Sequence, residues 1–295
     1  MPYQGSKRRL AGAILSHVPA GRYKRLVEPF AGSAAVTLAA ASEKIFSSYL
    51  IGDALEPLVN LWKMVIDNPD TLANEYEALW YRERENPIAE YYVIRSEFNA
   101  DRGPAKLLYL LARCVKNAVR FNPSGDFNQS PDKRRKGTSP KSMRIELLAA
   151  HKVLGVRCEA VHADFVSLFK EAQDGDFFYL DPPYQGTSLG RDQRYIGGVT
   201  RERMIEALKI LNDKQIPFIL SYDGSCGEKN YGDPLPESIA HQILLDVGRS
   251  SQATLNGRAD VTIESLYISH SITPVSGRGT TLLLEDFTTQ GALFT

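Results

Sequence analysis

The chain has 295 residues, 35 Lys and Arg against 35 Asp and Glu, and a formal net charge of zero. A chain of this length buries a large core, as one big domain or one domain with an insertion. Zero net charge excludes a global field that gathers polyanions, so any nucleic-acid site must come from local clustering. Cys114, Cys158 and Cys226 stand too far apart for a CxxC pair or a zinc ligand set, and no metal is expected; an odd count suits free thiols in a reducing compartment. The opening MPYQGSKRRL carries charge with no apolar run behind it, unlike a secretory leader. No apolar run is long enough to span a bilayer. The expected setting is cytoplasmic, without a membrane.

KRLVEPFAGSAAVTLAAA, from Lys24, reads as a strand, a glycine-containing turn and a helix of small residues. SSYLIGDALEPLVNLWKMV gives a second strand ending at Asp53, then a helix. VRCEAVHADFVSLF gives a third, with Asp164 at its end, DFFYLDPPY a fourth, and IPFILSYDG a fifth ending near Asp223. Strands alternating with helices predict an α/β fold with a mostly parallel, doubly wound sheet covered on both faces. An acid just past one strand is ordinarily a helix N-cap. Four acids at one edge favour a ligand crevice, because open α/β sheets bind ligands outside the carboxyl ends of their strands.

Residues 65–150 break this rhythm and read as an insertion between 1–64 and 151–295. DTLANEYEALWYRERE and PAKLLYLLARCVKNAV have helical patterns, and FNPSGDFNQ reads as a hairpin. SPDKRRKGTSPKSMR is polar and basic. From Lys116 to Arg144 there are eight basic residues and two acids, a local excess in a chain of zero net charge. A basic run taken alone is often a solvated loop. Asn117, Phe121, Asn122, Phe127 and Asn128 beside it favour nucleic acid, since Arg and Asn read base edges and aromatics fill gaps in a stack.

In FFYLDPPYQG, a buried strand runs into Asp181, Pro182, Pro183 and Tyr184. The prolines stiffen an extended backbone. Asp181 and the Pro182 carbonyl can then accept two hydrogen bonds from one planar NH2 group, and Tyr184 can stack on the ring bearing it. Such an amine, N6 of adenine or N4 of cytosine, is a poor nucleophile because its lone pair is conjugated into the ring. Two fixed acceptors favour the rehybridised amine as charge builds on nitrogen. A plain strand-terminating turn is the bland alternative.

Taken in order, these segments resemble the Dam-like DNA adenine-N6 methyltransferases of the D12 class. PYQGSK is similar to that family's N-terminal YxGxK element, EPFAGSAAV to its glycine turn, LIGDALEPLVNLW and HADF to its acidic motifs, and DPPY to its catalytic motif. CVKNAVRFNPSGDFN resembles the target-recognition segment and GRADVTIESLYIS the closing strand pair. The resemblance implies a Rossmann-like methyltransferase fold (1–64 and 151–295), a mainly helical, hairpin-bearing target-recognition insertion (65–150), and S-adenosyl-L-methionine as methyl donor. Tyr3 and Lys7 would hold the donor's carboxylate. Glu28, Phe30 and Gly32 would line its methionine end. Asp53 would accept the ribose hydroxyls, Asp164 the adenine amine, and Phe165 would pack on that ring. Asp181, Pro182, Pro183 and Tyr184 would form the target-base pocket beside the donor. Lys116, Asn117, Arg120 and Asn122 would meet double-stranded DNA, with Lys133, Arg134 and Arg135 on phosphates.

The implied reaction is direct methyl transfer to N6 of a flipped adenine within a specific duplex site. The source would be bacterial or phage, with a restriction endonuclease as a conceivable genetic partner. An N4-cytosine or RNA-base enzyme, or a DNA-binding subunit without catalysis, remains open at this point. The chain departs from the family pattern at Glu28, where Asp is usual, and at Ala34, where glycine is common and a methyl group is expected to narrow the approach to the donor. The helix before Arg120 is one residue short. The tail 273–295 has no counterpart, and its TTLLLEDF suits an added strand or a contact surface.

Overall fold

The protein is described as a computed structural model covering residues 6–82, 86–183, 199–226, 229–230, 232–249, 261–272 and 281–283. Strands β1 (Arg25–Glu28), β2 (Ser48–Asp53), β3 (Cys158–His162), β4 (Asp176–Leu180) and β5 (Phe218–Cys226) lie side by side in the order β3-β2-β1-β4-β5, all parallel. A two-residue strand β6 (Lys229–Asn230) pairs with β5. The antiparallel pair β7 (His241–Arg249) and β8 (Val261–Ile268) extends the sheet, with β8 against β5. The tail adds β9 (Thr281–Leu283), parallel to β7, so the added strand expected of TTLLLEDF is present.

Strands β1, β2 and β4 are buried at nearly every position because both faces of the sheet are covered there, whereas β3 exposes Glu159 and His162. Leu26, Ile51, Phe177, Tyr179 and Ile219 point into one core, and Val27, Leu50, Phe178, Leu180, Phe218 and Leu220 into the other. The first core is closed by α1 (Ala11–Leu15), α2 (Ala35–Ser42), α3 (Glu56–Asp67), α4 (Pro69–Tyr81), α5 (Pro87–Asp101), α6 (Pro104–Arg113) and α7 (Pro140–Leu154). The second is closed by α8 (Phe165–Lys170) and α9 (Arg201–Asp213). Each helix from α3 to α7 carries a proline in its first turn. Proline presets φ there, and its missing N–H is one the helix leaves unpaired anyway. Asn86 and Ser139 complete two of these starts by accepting from Ala89 N and Ser142 N.

The expected helix over PAKLLYLLARCVKNAV stops at Arg113. Cys114 turns extended, and Lys116 and Asn117 take left-handed φ values of 61° and 52° in a short 3-10 turn (Val115–Asn117). The hairpin forms as read, with Phe121 bridged to Phe127 and Gly125 at φ 80° in the turn.

The fifth strand does not end near Asp223. It continues to Cys226 through a register shift between Ser221 and Gly224. Asp223 sits in that irregularity at φ 53°, buried, with Oδ2 accepting from the Tyr267 hydroxyl. It is therefore a buried structural acceptor and drops out of the row of crevice acids.

Candidate active site at the carboxyl edge of the sheet

The strand order reverses between β1 and β4, and the tips of these two neighbours carry Glu28 and, one residue past β4, Asp181. A reversal of this kind opens a crevice at the carboxyl edge. Glu28 is 3 % exposed. Its Oε2 accepts from Thr37 N at 3.0 Å and from the Thr37 hydroxyl. Burial pushes its pKa up to about 8, the Thr37 hydrogen bonds oppose this, and the nearby Asp181 charge adds to it. At neutral pH Glu28 is mostly the neutral acid.

Asp181 meets Lys7, whose Nζ lies 3.2 Å from Asp181 Oδ1 and 3.2 Å from Glu264 Oε2. Burial raises the Asp181 pKa to about 6, Lys7 works against the rise, and Glu264 adds to it. Asp181 is therefore an anion above neutrality and loses its charge under mild acid. Beneath it, the Tyr179 hydroxyl and Ser221 Oγ are 3.0 Å apart, and Pro182 is buried while Pro183 is half-buried. Lys7 thus stands on the DPPY acid, whereas the resemblance put it at the donor's carboxylate. Glu264, the third member of the cluster, was not singled out in the sequence. Its only signal there is an acid inside the apolar strand VTIESLYI.

A second group lies around the turn after β1. Gly32 has φ 48°, left-handed backbone that glycine adopts without strain. Its N–H points to Asp53 Oδ2 at 3.4 Å, and its carbonyl accepts from Trp62 Nε1 at 3.0 Å. Asp53 Oδ1 accepts from Leu55 N at 2.9 Å. Burial lifts Asp53 to a pKa of about 6 against these backbone donors. The Phe30 and Phe165 rings pack at 5.1 Å between centroids, tilted by 38°. Asp164 caps α8 by accepting from Val166 N at 3.0 Å, so the bland N-cap reading of this acid is correct as far as Oδ1 goes.

The other oxygen of Asp164, Oδ2, takes a hydrogen bond from Arg203 at 2.7 Å, and the Arg203 guanidinium lies over the Phe165 ring at 4.9 Å. Arg203, which sequence reading missed, reaches this acid from α9, 39 residues further along. Ala34 takes φ 47° and is fully buried in the first core. Its methyl is packed in the core. Its left-handed backbone carries the strain of a non-glycine residue. Asp53 and Asp164 as acceptors, a Phe pair as stacking surface and a left-handed glycine fit a donor carrying ribose hydroxyls, an adenine amine and an aromatic ring. Tyr3 and Tyr184 lie outside the described residues.

The basic segment divides into inward- and outward-facing groups. Asn117 Nδ2 donates to Leu111 O at 2.8 Å and satisfies a carbonyl at the end of α6. Asn122 Oδ1 accepts from Asp126 N at 2.8 Å and closes the hairpin turn. Arg120 stands on the hairpin arm, not at a helix end; its carbonyl accepts from Asn128 N at 3.0 Å. Lys116 is exposed, as are Lys133, Arg134, Arg135 and Lys136. Their loop is anchored: Asp132 Oδ1 accepts from Arg134 N at 2.9 Å and its Oδ2 pairs with Arg135 at 2.8 Å. The buried Arg113 Nη1 donates to Lys136 O at 2.5 Å. Gly137 has φ 80°, and a Cβ there would stand 2.5 Å from Ala112 O, so the loop is pressed onto the end of α6.

Fold and site together define a doubly wound α/β protein with acids gathered at the carboxyl tips of its parallel strands. The chain belongs to the D12 class N6 adenine-specific DNA methyltransferases, whose family model matches residues 3–249. It is 31 % identical over 278 residues to a type II methyltransferase, M1.LlaDCHI, of Lactococcus lactis subsp. cremoris, covering 88 % of this chain and 91 % of the relative. It is 29 % identical over 234 residues to a retron Ec67 DNA adenine methylase of Escherichia coli, covering 72 % and 75 %. It is 26 % identical over 234 residues to a DNA adenine methylase of Haemophilus influenzae, covering 75 % and 78 %. The protein is an S-adenosylmethionine-dependent enzyme that transfers a methyl group to adenine N6 in DNA. Among the described residues, no helix is long and apolar enough to cross a membrane.

Proposed function

We propose that the crevice between β1 and β4 is the catalytic centre of a methyltransferase acting at a specific site in duplex DNA. The observation that carries this is the placement of Asp181, a partly desolvated carboxylate at the sheet's reversal point, beside the Glu28 tip of β1. Asp181 and the Pro182 carbonyl hold the N6 amine of a flipped adenine, with Pro183 stiffening the turn and Tyr184 stacking on the base. Asp53 holds the donor's ribose hydroxyls, Asp164 its adenine amine, and Phe30 and Phe165 the ring. Gly32, Glu28 and Tyr3 surround the methionine end, and Lys7 serves the Asp181 carboxylate. When bound, S-adenosylmethionine supplies an electrophilic methyl group on a sulfonium.

The carboxylate of Asp181 stabilises positive charge as it develops on the amine. An exposed carboxylate is a weak base; burial makes Asp181 a better acceptor while leaving it ionised at neutral pH. The resulting ammonium is acidic and sheds its proton readily.

Residues 65–150 act as the target-recognition insertion. Lys116 and Arg120 reach towards the bases, Asn117 and Asn122 shape the turn and hairpin that present them, and Lys133, Arg134 and Arg135 serve as phosphate contacts that set register. The type II name of the Lactococcus relative supports a restriction endonuclease of the same target as genetic partner, in a bacterial or phage-infected cytoplasm. The test is nucleoside analysis of DNA from an expressing host that lacks its own adenine methylation. N6-methyladenine confined to one sequence is expected. N4-methylcytosine, or N6-methyladenine scattered without a sequence, would overturn the proposal.

A further inference from the structure

We infer that Glu264 is a positioning residue for methyl transfer, sharing the Lys7 ammonium with Asp181 and so keeping the Asp181 carboxylate open to the target amine. This rests on the reading of Asp181 as the amine's acceptor.

The cluster holds one ammonium between two carboxylates at equal distances of 3.2 Å. All three side chains are largely withdrawn from water, with relative exposures of 8 % for Lys7, 22 % for Asp181 and 16 % for Glu264. Charges this close and this little screened interact strongly. Lys7 resting on Asp181 alone would neutralise that carboxylate and compete with the incoming amine for its lone pairs. Glu264 draws the same ammonium the other way.

The fold makes room for this reach. Glu264 is on β8, and its partner in register on β5 is Gly224, which has no side chain to block the path. A Cβ on Gly224 would meet Ile263 O at 2.5 Å, so β8 lies close against the irregular end of β5. The strand that carries Glu264 is thus held firmly beside the catalytic turn. Among the described residues, other titratable groups with electrostatic influence here include Glu28 on β1, Tyr179 on β4 and Asp223 on β5. Glu28 is mostly neutral near pH 7, and burial keeps the Tyr179 phenol un-ionised. Among the described residues, Lys7 and Glu264 therefore dominate the charge felt by Asp181.

The test is single-turnover methyl transfer to unmethylated DNA across pH 5 to 9, with calorimetric titration of S-adenosylmethionine, using the full-length protein. Glu264→Gln keeps the shape and removes the charge. Transfer should slow about 10-fold, less than the loss of a direct transition-state contact. Donor affinity should stay within about threefold. The acid limb of the rate profile should move down by roughly one pH unit, because the like charge beside Asp181 is gone. Glu264→Asp, which keeps the charge at a shorter reach, should fall between the two and serves should the glutamine variant not fold. A limb that does not move, a rate within twofold of wild type, or a loss that lies wholly in donor affinity overturns the inference. Asp181→Asn in the same assay separates the two levels. A wild-type rate in that variant overturns the assignment of Asp181 itself, whereas an inactive Asp181→Asn beside an unaffected Glu264→Gln overturns only the role of Glu264.

Discussion

Replacing Glu28 by Gln should make the protein more stable, and by an amount that grows with pH. The folded chain holds Glu28 at a pKa of about 8, against 4.5 for an ordinary glutamate. A pKa raised in the folded state means that the folded chain binds the extra proton. The associated stability is complete below pH 4.5 and is lost progressively as pH rises through the folded value. Between pH 4.5 and pH 7 the folded chain keeps a proton that the unfolded chain sheds, at about 1.4 kcal/mol per pH unit, which comes to about 3 kcal/mol. Glutamine has no proton to keep. Its oxygen still accepts from Thr37 N and the Thr37 hydroxyl, and its amide N–H takes the place of the acid O–H. Thermal unfolding at pH 5, 7 and 8 is the assay. The variant should melt within a degree or two of wild type at pH 5 and roughly 5 °C higher at pH 7, given the entropy of unfolding of a chain this size. A difference in melting temperature that is the same at all three pH values would refute the reasoning, because it would mean that Glu28 is already ionised in the folded protein.

Lys7→Ala leaves Asp181 and Glu264 facing each other without their shared cation, so the acid limb of the activity profile should move upward and stability fall by about 3–5 kcal/mol; rate profiles and denaturant titration check both. Gly137→Ala forces a Cβ against Ala112 O in left-handed backbone and should cost about 1–3 kcal/mol, with weaker DNA binding if residues 133–136 lie on phosphate. Lys133→Ala and Arg135→Ala should weaken binding to all duplexes alike and each reduce the salt slope by about 0.9, read by titration at several salt concentrations. Arg120→Ala should instead cost about 1–3 kcal/mol on the target site and relax preference at one base pair, and equal losses across a panel of single-base variants would remove it from base reading.

The parallel sheet was legible because its strands carry a two-sided burial signature that no amphipathic helix shares. RLVE, SYLIGD and DFFYL carry adjacent apolar residues, so both faces are apolar, and each ends on or just before an acid. The DPPY turn was equally plain. Within residues 65–150, two helices were passed over. In α5, burial falls on Tyr91, Ile94 and Phe98 while Tyr92 and Val93 are exposed, which blurs the apolar stripe. Its start was readable from Asn86-Pro87, as that of α7 was from Ser139-Pro140, but the basic run before α7 drew attention to charge instead.

The end of α6 was misplaced for a different reason. Val115 to Val119 has acceptable helix formers, and the break comes from left-handed Lys116 and Asn117, an arrangement fixed by tertiary contacts such as the Asn117 amide on Leu111 O. Glu264 and Arg203 could not be placed from sequence because each reaches its partner across long separations, 257 residues between Lys7 and Glu264 and 39 between Asp164 and Arg203. Asp223 looked like another crevice acid because a strand irregularity has no sequence signal as clear as a proline.

The most direct test of the account is Asp181→Asn, assayed by single-turnover transfer of labelled methyl from S-adenosylmethionine to unmethylated duplex DNA, with donor affinity measured in parallel by calorimetry. The amide keeps the shape of the turn and one acceptor oxygen but removes the charge that stabilises the developing ammonium. The transfer rate should fall on the order of 10²-fold or more, with the donor's dissociation constant within about threefold of wild type. Transfer at the wild-type rate, or a loss explained entirely by weaker donor binding, would contradict it.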